Sequence, residues 1–183
     1  MKSIAIFYQR DVFPLMPEAL DVKFVDRPTG KAVIFDENKH VALVGNKVNS
    51  FYLLPGGGIN NDERVEDGII RECLEETGCD VKLDKLLGIV EDYRDRDKVH
   101  CISYCYTANV ITKNKKLSLT LDEEKNGMYV IWVALEEAIR IFSEEIDDLK
   151  KGKVQFYNTG FNILRDNVFL NEARKIMKSS FNS

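Results

Sequence analysis

The sequence predicts an α/β protein in which a mixed β-sheet is covered by helices on both faces. Short apolar runs that are typical of strands occur before and after one central helix pattern, and two further helix patterns follow later in the chain. Strands on both sides of a helix, followed by more helices, favour a layered α/β/α sandwich. Since no repeat, low-complexity tract or linker interrupts the sequence, residues 1–183 are predicted to form a single domain.

Five strand signals precede the central helix, and each is a short apolar run bounded by polar or turn-forming residues. The polar turn at residues 36–39 predicts that the third and fourth strands form a hairpin. A segment with two prolines, residues 11–20, is predicted to be irregular. The five predicted strands are residues 4–8, 22–25, 31–35, 40–45 and 50–54.

The chain after the central helix predicts three more strands and two helices. Two long apolar runs are joined by a charged turn at residues 94–98, and a polar loop is predicted at residues 113–124. The two last segments have apolar residues on one side, as amphipathic helices do. The predicted strands are residues 81–93, 99–111 and 128–133, and the predicted helices are residues 135–150 and 161–178.

The central helix is predicted to run from Glu63 to Thr77. Asp62 is a suitable N-cap residue, and Gly78 is a suitable C-cap residue. At about 100° per residue, the apolar side chains fall mostly on one face, which suits packing against a core.

The opposite face of this helix carries a cluster of carboxylates. Glu72, Glu75 and Glu76 stand at spacings i, i+3 and i+4. A glutamate stripe alone is more often a solvated helix face. Like charges at this spacing cost about 0.2–0.5 kcal/mol per pair, so the cluster favours a bound cation. Hard cations such as Mg²⁺ take carboxylate oxygens and share their coordination shell with substrate phosphates.

A glycine run, Gly56-Gly57-Gly58, immediately precedes this helix region. Without Cβ atoms the backbone can approach a metal or a phosphate closely, and the helix amino terminus favours anions. A glycine run by itself usually marks a turn. Arg71 lies beside the carboxylates and is predicted to pair with Glu63, which would fix the loop against the helix.

The joint pattern at residues 57–79 resembles the Nudix box, and the chain is therefore similar to the MutT-like members of the Nudix hydrolase family. Two positions that usually hold a bulky aliphatic residue are Cys73 and Cys79, which we interpret as core substitutions. The seven matching positions of the pattern G-x5-E-x7-R-E-x-x-E-E-x-G are Gly57, Glu63, Arg71, Glu72, Glu75, Glu76 and Gly78.

This resemblance implies the Nudix fold, an α/β/α sandwich, and a role for each residue of the box. Glu72 is the first candidate for the base that activates water, and an acidic residue of the loop before the last strand is the alternative. That loop could equally be a solvated acidic segment. The implied metal ligands are the Gly56 carbonyl, Glu72, Glu75 and Glu76. The implied catalytic residues are Glu72, Glu75, Arg71 and Glu63, and the substrate-binding residues are Gly57, Gly58, Glu123 and Glu124.

The resemblance further implies metal-dependent cleavage of a diphosphate bond in a nucleoside diphosphate derivative. The first expectation is a nucleoside triphosphate, including oxidised forms, cleaved to the monophosphate and pyrophosphate. ADP-ribose, sugar nucleotides and dinucleoside polyphosphates remain alternatives, as does a nucleotide-sensing domain without activity. Six side chains could contact a base or ribose, although each is more often core or surface: Tyr52, Tyr93, Arg94, His100, Tyr104 and Trp132.

The expected cofactor is Mg²⁺, with Mn²⁺ as the alternative. The resemblance implies a nucleotide substrate, and a net charge of −4, from 26 basic and 30 acidic residues mixed along the chain, predicts no nucleic-acid partner. No apolar run is long enough for a membrane span or a secretory signal. The four cysteines show no zinc-site spacing, and reduced thiols fit a cytoplasmic protein. A homodimer is left open.

Overall fold

The computed structural model describes residues 2–48, 50–113, 117–154 and 156–180, apart from the side chains of residues 122, 123 and 180. Within these residues the strands are β1 (Ala5–Tyr8), β2 (Val25–Phe35), β3 (His40–Asn46), β4 (Phe51–Leu53), β5 (Asp80–Arg94), β6 (Val99–Thr112) and β7 (Met128–Ala134). The helices are α1 (Gln9–Val12), α2 (Val65–Thr77), α3 (Leu121–Lys125), α4 (Leu135–Lys150) and α5 (Tyr157–Ser180).

The strands form a mixed sheet in the order β1-β5-β6-β2-β3-β4, and β7 pairs with β3 outside this path. β1 pairs with β5, and β2 with β6, in the parallel direction. The other pairings are antiparallel, including the long β5–β6 pair and the predicted β2–β3 hairpin. The prediction of a mixed sheet is therefore confirmed.

Helices cover both faces of the sheet, and the carboxyl-terminal part of strand β2 is buried on both faces as a result. Ala32 and Ile34 face a cluster that includes Ile69 of α2, whereas Val33 belongs to a second cluster built on α4 and α5. Alternate residues of a strand point to opposite faces, so an uninterrupted apolar strand is buried on both sides. Phe142 of α4 is among the fully buried residues of the second cluster. The α/β/α sandwich is confirmed.

Helix α2, the box helix that carries Arg71 and three glutamates of the Nudix box, begins later than the sequence predicted. It starts at Val65 rather than Glu63, and its N-cap residue is Arg64 rather than Asp62. The reason is that the Glu63 carboxylate accepts bonds from loop and helix partners instead of joining the first helical turn. The predicted C-cap is correct, since Gly78 has the left-handed conformation with φ of 65°.

Other boundaries also differ from prediction. The strand predicted at residues 31–35 is the end of a longer strand, because β2 runs unbroken from Val25 beside β6; the strand predicted at residues 22–25 overlaps β2 only at Val25. The short helix α1 lies in the segment predicted to be irregular, and α3 lies in the predicted polar loop, of which residues 114–116 are outside the described residues. All four cysteines are free and buried, as core residues are. No helix in the described chain is long and apolar enough to cross a bilayer.

Candidate active site

The glycine run forms a loop that lies directly on strand β2. The amide of Gly30 donates to the Gly57 carbonyl at 2.9 Å, and the amide of Ala32 donates to the Pro55 carbonyl at 3.1 Å. Gly56 has φ of 129°, and a Cβ there would lie 2.1 Å from the Gly30 carbonyl oxygen. Only glycine is compatible with this approach, because the obstacle is backbone that cannot move aside.

A buried lysine, Lys31, donates hydrogen bonds to the backbone of the glycine loop and of the segment just before it. The Lys31 ammonium donates to the carbonyls of Leu54, at 3.0 Å, and of Gly56. Burial lowers the pKa of Lys31, and the nearby Arg165 lowers it further. The Gly56 carbonyl, which was predicted to bind metal, thus already accepts one bond. A carbonyl oxygen has two lone pairs, so a second partner remains possible.

Arg71 joins the loop to the box helix through four partners. Its guanidinium contacts Glu63 through both Nε (3.1 Å) and Nη2 (2.7 Å). Nη1 donates to Glu72 at 2.7 Å and to Glu75 at 3.1 Å. Nη2 also donates to the Gly58 carbonyl at 3.1 Å. The predicted pairing of Arg71 with Glu63 is therefore present, and the rigid fork of arginine makes all these contacts simultaneously.

The charges of this network stabilise each other. The Arg71 guanidinium, together with the Asn60 amide, lowers the pKa of Glu63 to about 2. Glu63 first, and then Glu72, raise the pKa of Arg71 above its ordinary value. Glu63 therefore stays ionised throughout the physiological range, and its role is to hold Arg71 in place.

Two glutamates of the helix also contact the glycine loop. A Cβ at Gly57 would lie 2.5 Å from Oε2 of Glu72, so this carboxylate occupies the space that the missing side chain leaves. Oε2 of Glu76 accepts the Gly56 amide at 2.7 Å, and Glu76 is only 9% exposed. Glu75 is more open to solvent, with a side chain 38% exposed.

The three predicted metal ligands lie around one loop but are not gathered into a cage. Among the described residues, no group of three acidic, histidine or cysteine side chains converges. Glu72 and Glu75 are turned towards Arg71, and Glu76 towards the Gly56 amide. Their donors are nonetheless hard oxygens, which fit Mg²⁺ or Mn²⁺. The metal role of these residues remains a prediction.

The two acidic residues proposed from outside the box, Glu123 and Glu124, belong to helix α3. The amide of Ser118 donates to the Glu75 carbonyl at 2.9 Å, so the segment before α3 runs beside the box helix. Glu124 is an exposed residue of α3. The side chain of Glu123 is outside the described residues. The roles of Glu123 and Glu124 at the site stay predictions.

A cavity of about 310 Å³ adjoins the glycine loop. Gly57 and Gly58, which were predicted to bind substrate, line it together with Glu76. Of the six side chains considered for base or ribose contacts, Arg94 lines this cavity, whereas Tyr93 and His100 stack on each other at 4.2 Å between ring centres. The positively charged lining residues are Arg27, Lys31, Arg94 and Arg165.

Sequence reasoning missed three of these four cations. Arg27 and Lys31 lie on β2, and Arg165 lies in the middle of α5. They are far apart in sequence and belong to no shared motif. The available signal was the adjacent pair Arg165-Asp166, which stands between the apolar pairs Ile163-Leu164 and Val168-Phe169, because charged residues are rarely buried unless they are paired.

The family comparison agrees with the box. The family model described as the NUDIX domain matches residues 26–158. Among curated proteins, human "Diphosphoinositol polyphosphate phosphohydrolase NUDT4B" is 30% identical over 123 residues, which cover 63% of this chain and 65% of the relative. The "ADP-ribose pyrophosphatase" of Methanocaldococcus jannaschii is 37% identical over 82 residues, which are 43% of this chain and 48% of that protein.

A third curated relative is the "Putative 8-oxo-dGTP diphosphatase" of Bacillus subtilis, 31% identical over 68 residues, which are 37% of this chain and 46% of that protein. The chain thus spans less than two thirds of the length of each of these three relatives.

Solved structures show the same fold. A NUDIX hydrolase from Nitrosomonas europaea superposes with a TM-score of 0.55 at 20% identity, covering 71% of this chain and 92% of that one. The MutT protein from Methanosarcina mazei Go1 gives a TM-score of 0.51 at 20% identity, covering 73% and 98%. The family model matches well over half of the chain and the box is intact, so the chain belongs to the Nudix hydrolase family.

Proposed function

We propose that this protein hydrolyses a diphosphate bond in a nucleoside diphosphate derivative and requires a divalent metal. The observation that carries the proposal is that Arg71 holds Glu72 and Glu75 together, with the Glu72 carboxylate against Gly57, a glycine that lines the cavity together with Glu76. The first candidate substrate is a nucleoside triphosphate, including oxidised forms, which would give a nucleoside monophosphate and pyrophosphate. The names of the relatives include a putative 8-oxo-dGTP diphosphatase, which supports this choice.

The residues that would hold the metal are Glu72, Glu75, Glu76 and the Gly56 carbonyl. Their donor set consists of hard oxygens, as Mg²⁺ and Mn²⁺ prefer, and the loop leaves no Cβ between the carboxylates and the backbone. A bound divalent ion would neutralise phosphate charge and lower the pKa of the attacking water.

The protein's own groups would position and deprotonate the water. Glu72 is the proposed base, because its carboxylate lies against Gly57 of the glycine loop, which lines the cavity. Arg71 fixes its orientation through the 2.7 Å contact to Oε1. Glu63 would act indirectly, because its carboxylate accepts a hydrogen bond from the Arg71 guanidinium and holds it in place. Glu123 or Glu124 would be the base instead if loss of the Glu72 carboxylate left the water step intact.

The alternatives within the family are ADP-ribose, sugar nucleotides and dinucleoside polyphosphates. One relative is named an ADP-ribose pyrophosphatase and another a diphosphoinositol polyphosphate phosphohydrolase, so the relatives point to more than one substrate. A nucleotide-sensing domain without activity is the remaining candidate. Intact box carboxylates argue against it, since binding alone does not require a base.

The test is release of phosphate or pyrophosphate from a panel of nucleotides with Mg²⁺ or Mn²⁺. The panel holds canonical and 8-oxo triphosphates, ADP-ribose, sugar nucleotides and dinucleoside polyphosphates. Glu75→Gln and Glu76→Gln should abolish turnover, whereas Glu144→Gln, an exposed carboxylate of α4, should not. Turnover that survives both box substitutions would contradict the proposal. Nucleotide binding with no turnover would favour the sensing domain.

The domain organisation, the localisation and the oligomeric state of the protein are proposals as well. We propose a single catalytic domain over residues 1–183 that acts in the cytoplasm and binds no nucleic acid. The mixed charge and the four free thiols support this. Light scattering with size-exclusion chromatography would decide between a monomer and a homodimer.

A further inference from the structure

The cavity beside the glycine loop has an unusual lining for a nucleobase site. Among the described residues that line it, Phe51 is the only aromatic one and Glu76 the only acidic one. Bases in protein sites are commonly stacked on aromatic rings, whereas phosphates are bound by arginine forks. Three arginines line this cavity, and they come from β2, β5 and α5.

Arg165 provides the clearest sign of a missing ligand. It is 3% exposed, and its Nε donates to Asp166 at 2.7 Å. Nη1 donates to Asn162 at 3.1 Å. Nη2 is buried and has no hydrogen-bond partner in the described chain. A buried donor without a partner costs about 1–3 kcal/mol, and more when it is charged, so an anion in the cavity would remove a real penalty.

Arg94 is held close to Arg165 by a shared acceptor. Its Nη2 donates to the same Oδ1 of Asn162, at 3.0 Å. Each guanidinium also has its own buried aspartate, Asp92 for Arg94 and Asp166 for Arg165. The two arginines are therefore fixed as a pair before any substrate arrives, which lowers the cost of ordering them on binding.

Arg27 supplies a third guanidinium, at the loop side of the cavity. Its Nη2 lies 3.9 Å from the position of a Cβ on Gly58. The residue is exposed, and its side chain makes no hydrogen bond or ion pair with another described residue. It is thus available to a ligand that reaches from the glycine loop towards α5.

We propose that Arg27, Arg94 and Arg165 form a phosphate subsite for a phosphate group that is not part of the cleaved bridge. The proposal rests on the proposed function, and it adds that good substrates carry at least three phosphates. The third phosphate has two sources, the terminal phosphate of a triphosphate or a phosphate ester on the distal sugar or polyol. Both offer the same dianionic, tetrahedral group to the arginines.

The first experiment measures binding of inorganic phosphate by calorimetry in EDTA, so that neither metal nor turnover contributes. Arg27→Gln removes an exposed side chain and should leave the fold intact. Arg165→Lys keeps the buried charge but loses the fork. Each should weaken phosphate binding about tenfold, which corresponds to about 1.4 kcal/mol. Arg140→Gln, an exposed arginine of α4, is the matched control and should bind as the wild type does.

The second experiment identifies the source of the phosphate through two substrate pairs. One pair is ATP and ADP, and the other is ADP-ribose 1″-phosphate and ADP-ribose. Arg27→Gln should raise KM about tenfold for the phosphorylated member of one pair and change the other member less than twofold. Equal effects on both members of both pairs would overturn the subsite.

The two proposals fail in different ways. Phosphate binding that depends on Arg27 and Arg165, with no turnover of any nucleotide, would overturn the hydrolase and support the subsite. Metal-dependent turnover, with phosphate binding equal in wild type and both variants, would overturn the subsite and support the hydrolase.

Discussion

Replacing Gly57 with alanine should slow catalysis about 100-fold while the protein stays folded. The added methyl would lie 2.5 Å from Oε2 and 2.6 Å from Cδ of Glu72. The carboxylate must retreat by about 0.9 Å to restore an ordinary contact of 3.4 Å. A displacement of about 1 Å in a catalytic group costs about 10²-fold in rate, or about 2.7 kcal/mol in the barrier.

Stability should change little in this variant. Gly57 does not have a positive φ, so alanine is compatible with its backbone. The effect on the free energy of unfolding should stay within about 1 kcal/mol. The comparison is Gly56→Ala, where φ of 129° and a 2.1 Å approach to the Gly30 carbonyl should destabilise the fold severely. Gly58→Ala meets only Arg27 at 3.9 Å and should reduce kcat much less than Gly57→Ala.

The assay is metal-dependent product release from the best panel substrate, with thermal denaturation of the three variants in parallel. Mn²⁺ titration followed by electron paramagnetic resonance gives a readout that is independent of turnover. Wild-type kcat in Gly57→Ala would refute the argument that the carboxylate depends on the missing Cβ. A loss in Gly58→Ala as large as in Gly57→Ala would refute the specific role of Glu72.

Three further predictions concern the groups around the site. Arg71→Lys should lower kcat at least about tenfold, because one ammonium cannot replace a guanidinium that contacts three carboxylates and a carbonyl. Steady-state kinetics would measure this loss, and an unchanged kcat would contradict the prediction. Lys31→Met leaves the carbonyls of Leu54 and Gly56 without the ammonium donor, and each should cost about 1–3 kcal/mol in the free energy of unfolding. Denaturant titration would measure this loss. An equally stable variant would show that water replaces the ammonium. Burial raises the pKa of Glu145 from 4.5 to about 8. The folded state therefore holds a proton that the unfolded state has lost, and the free energy of unfolding should fall as pH rises from about 4.5 to about 8. Glu145→Gln keeps an acceptor for the Tyr52 amide and should flatten this fall relative to wild type; parallel pH profiles would exclude Glu145 as the cause.

The parts of the fold that rest on local patterns were predictable from the sequence. Helix α4 has the predicted bounds, Leu135–Lys150, because a clear apolar stripe and polar flanks define it locally. The start of α2 was not predictable in the same way. Its first turn is shortened because the Glu63 side chain bonds to Arg71, and a contact eight residues along the chain is invisible to capping preferences.

The same distinction separates the two halves of the site. The box residues lie within one continuous segment, so spacing alone predicted the contacts among Glu63, Arg71 and the loop. The arginine cluster depends on which strands pair and on where α5 crosses the sheet. Arg27 and Arg165 are 138 residues apart, and no local period relates them. Only tertiary structure brings them to the same cavity.

Helix α5 carries one arginine of the proposed phosphate subsite, Arg165, whereas Arg27 and Arg94 lie on strands of the sheet. The family match ends at residue 158, at the first turn of α5, so Asn162 and Arg165 lie beyond the segment that the family shares. The carboxylates and the glycine loop lie entirely within it. Under the two proposals, substitutions at Asn162 or Arg165 would alter the phosphate subsite and leave the box carboxylates and the glycine loop unchanged.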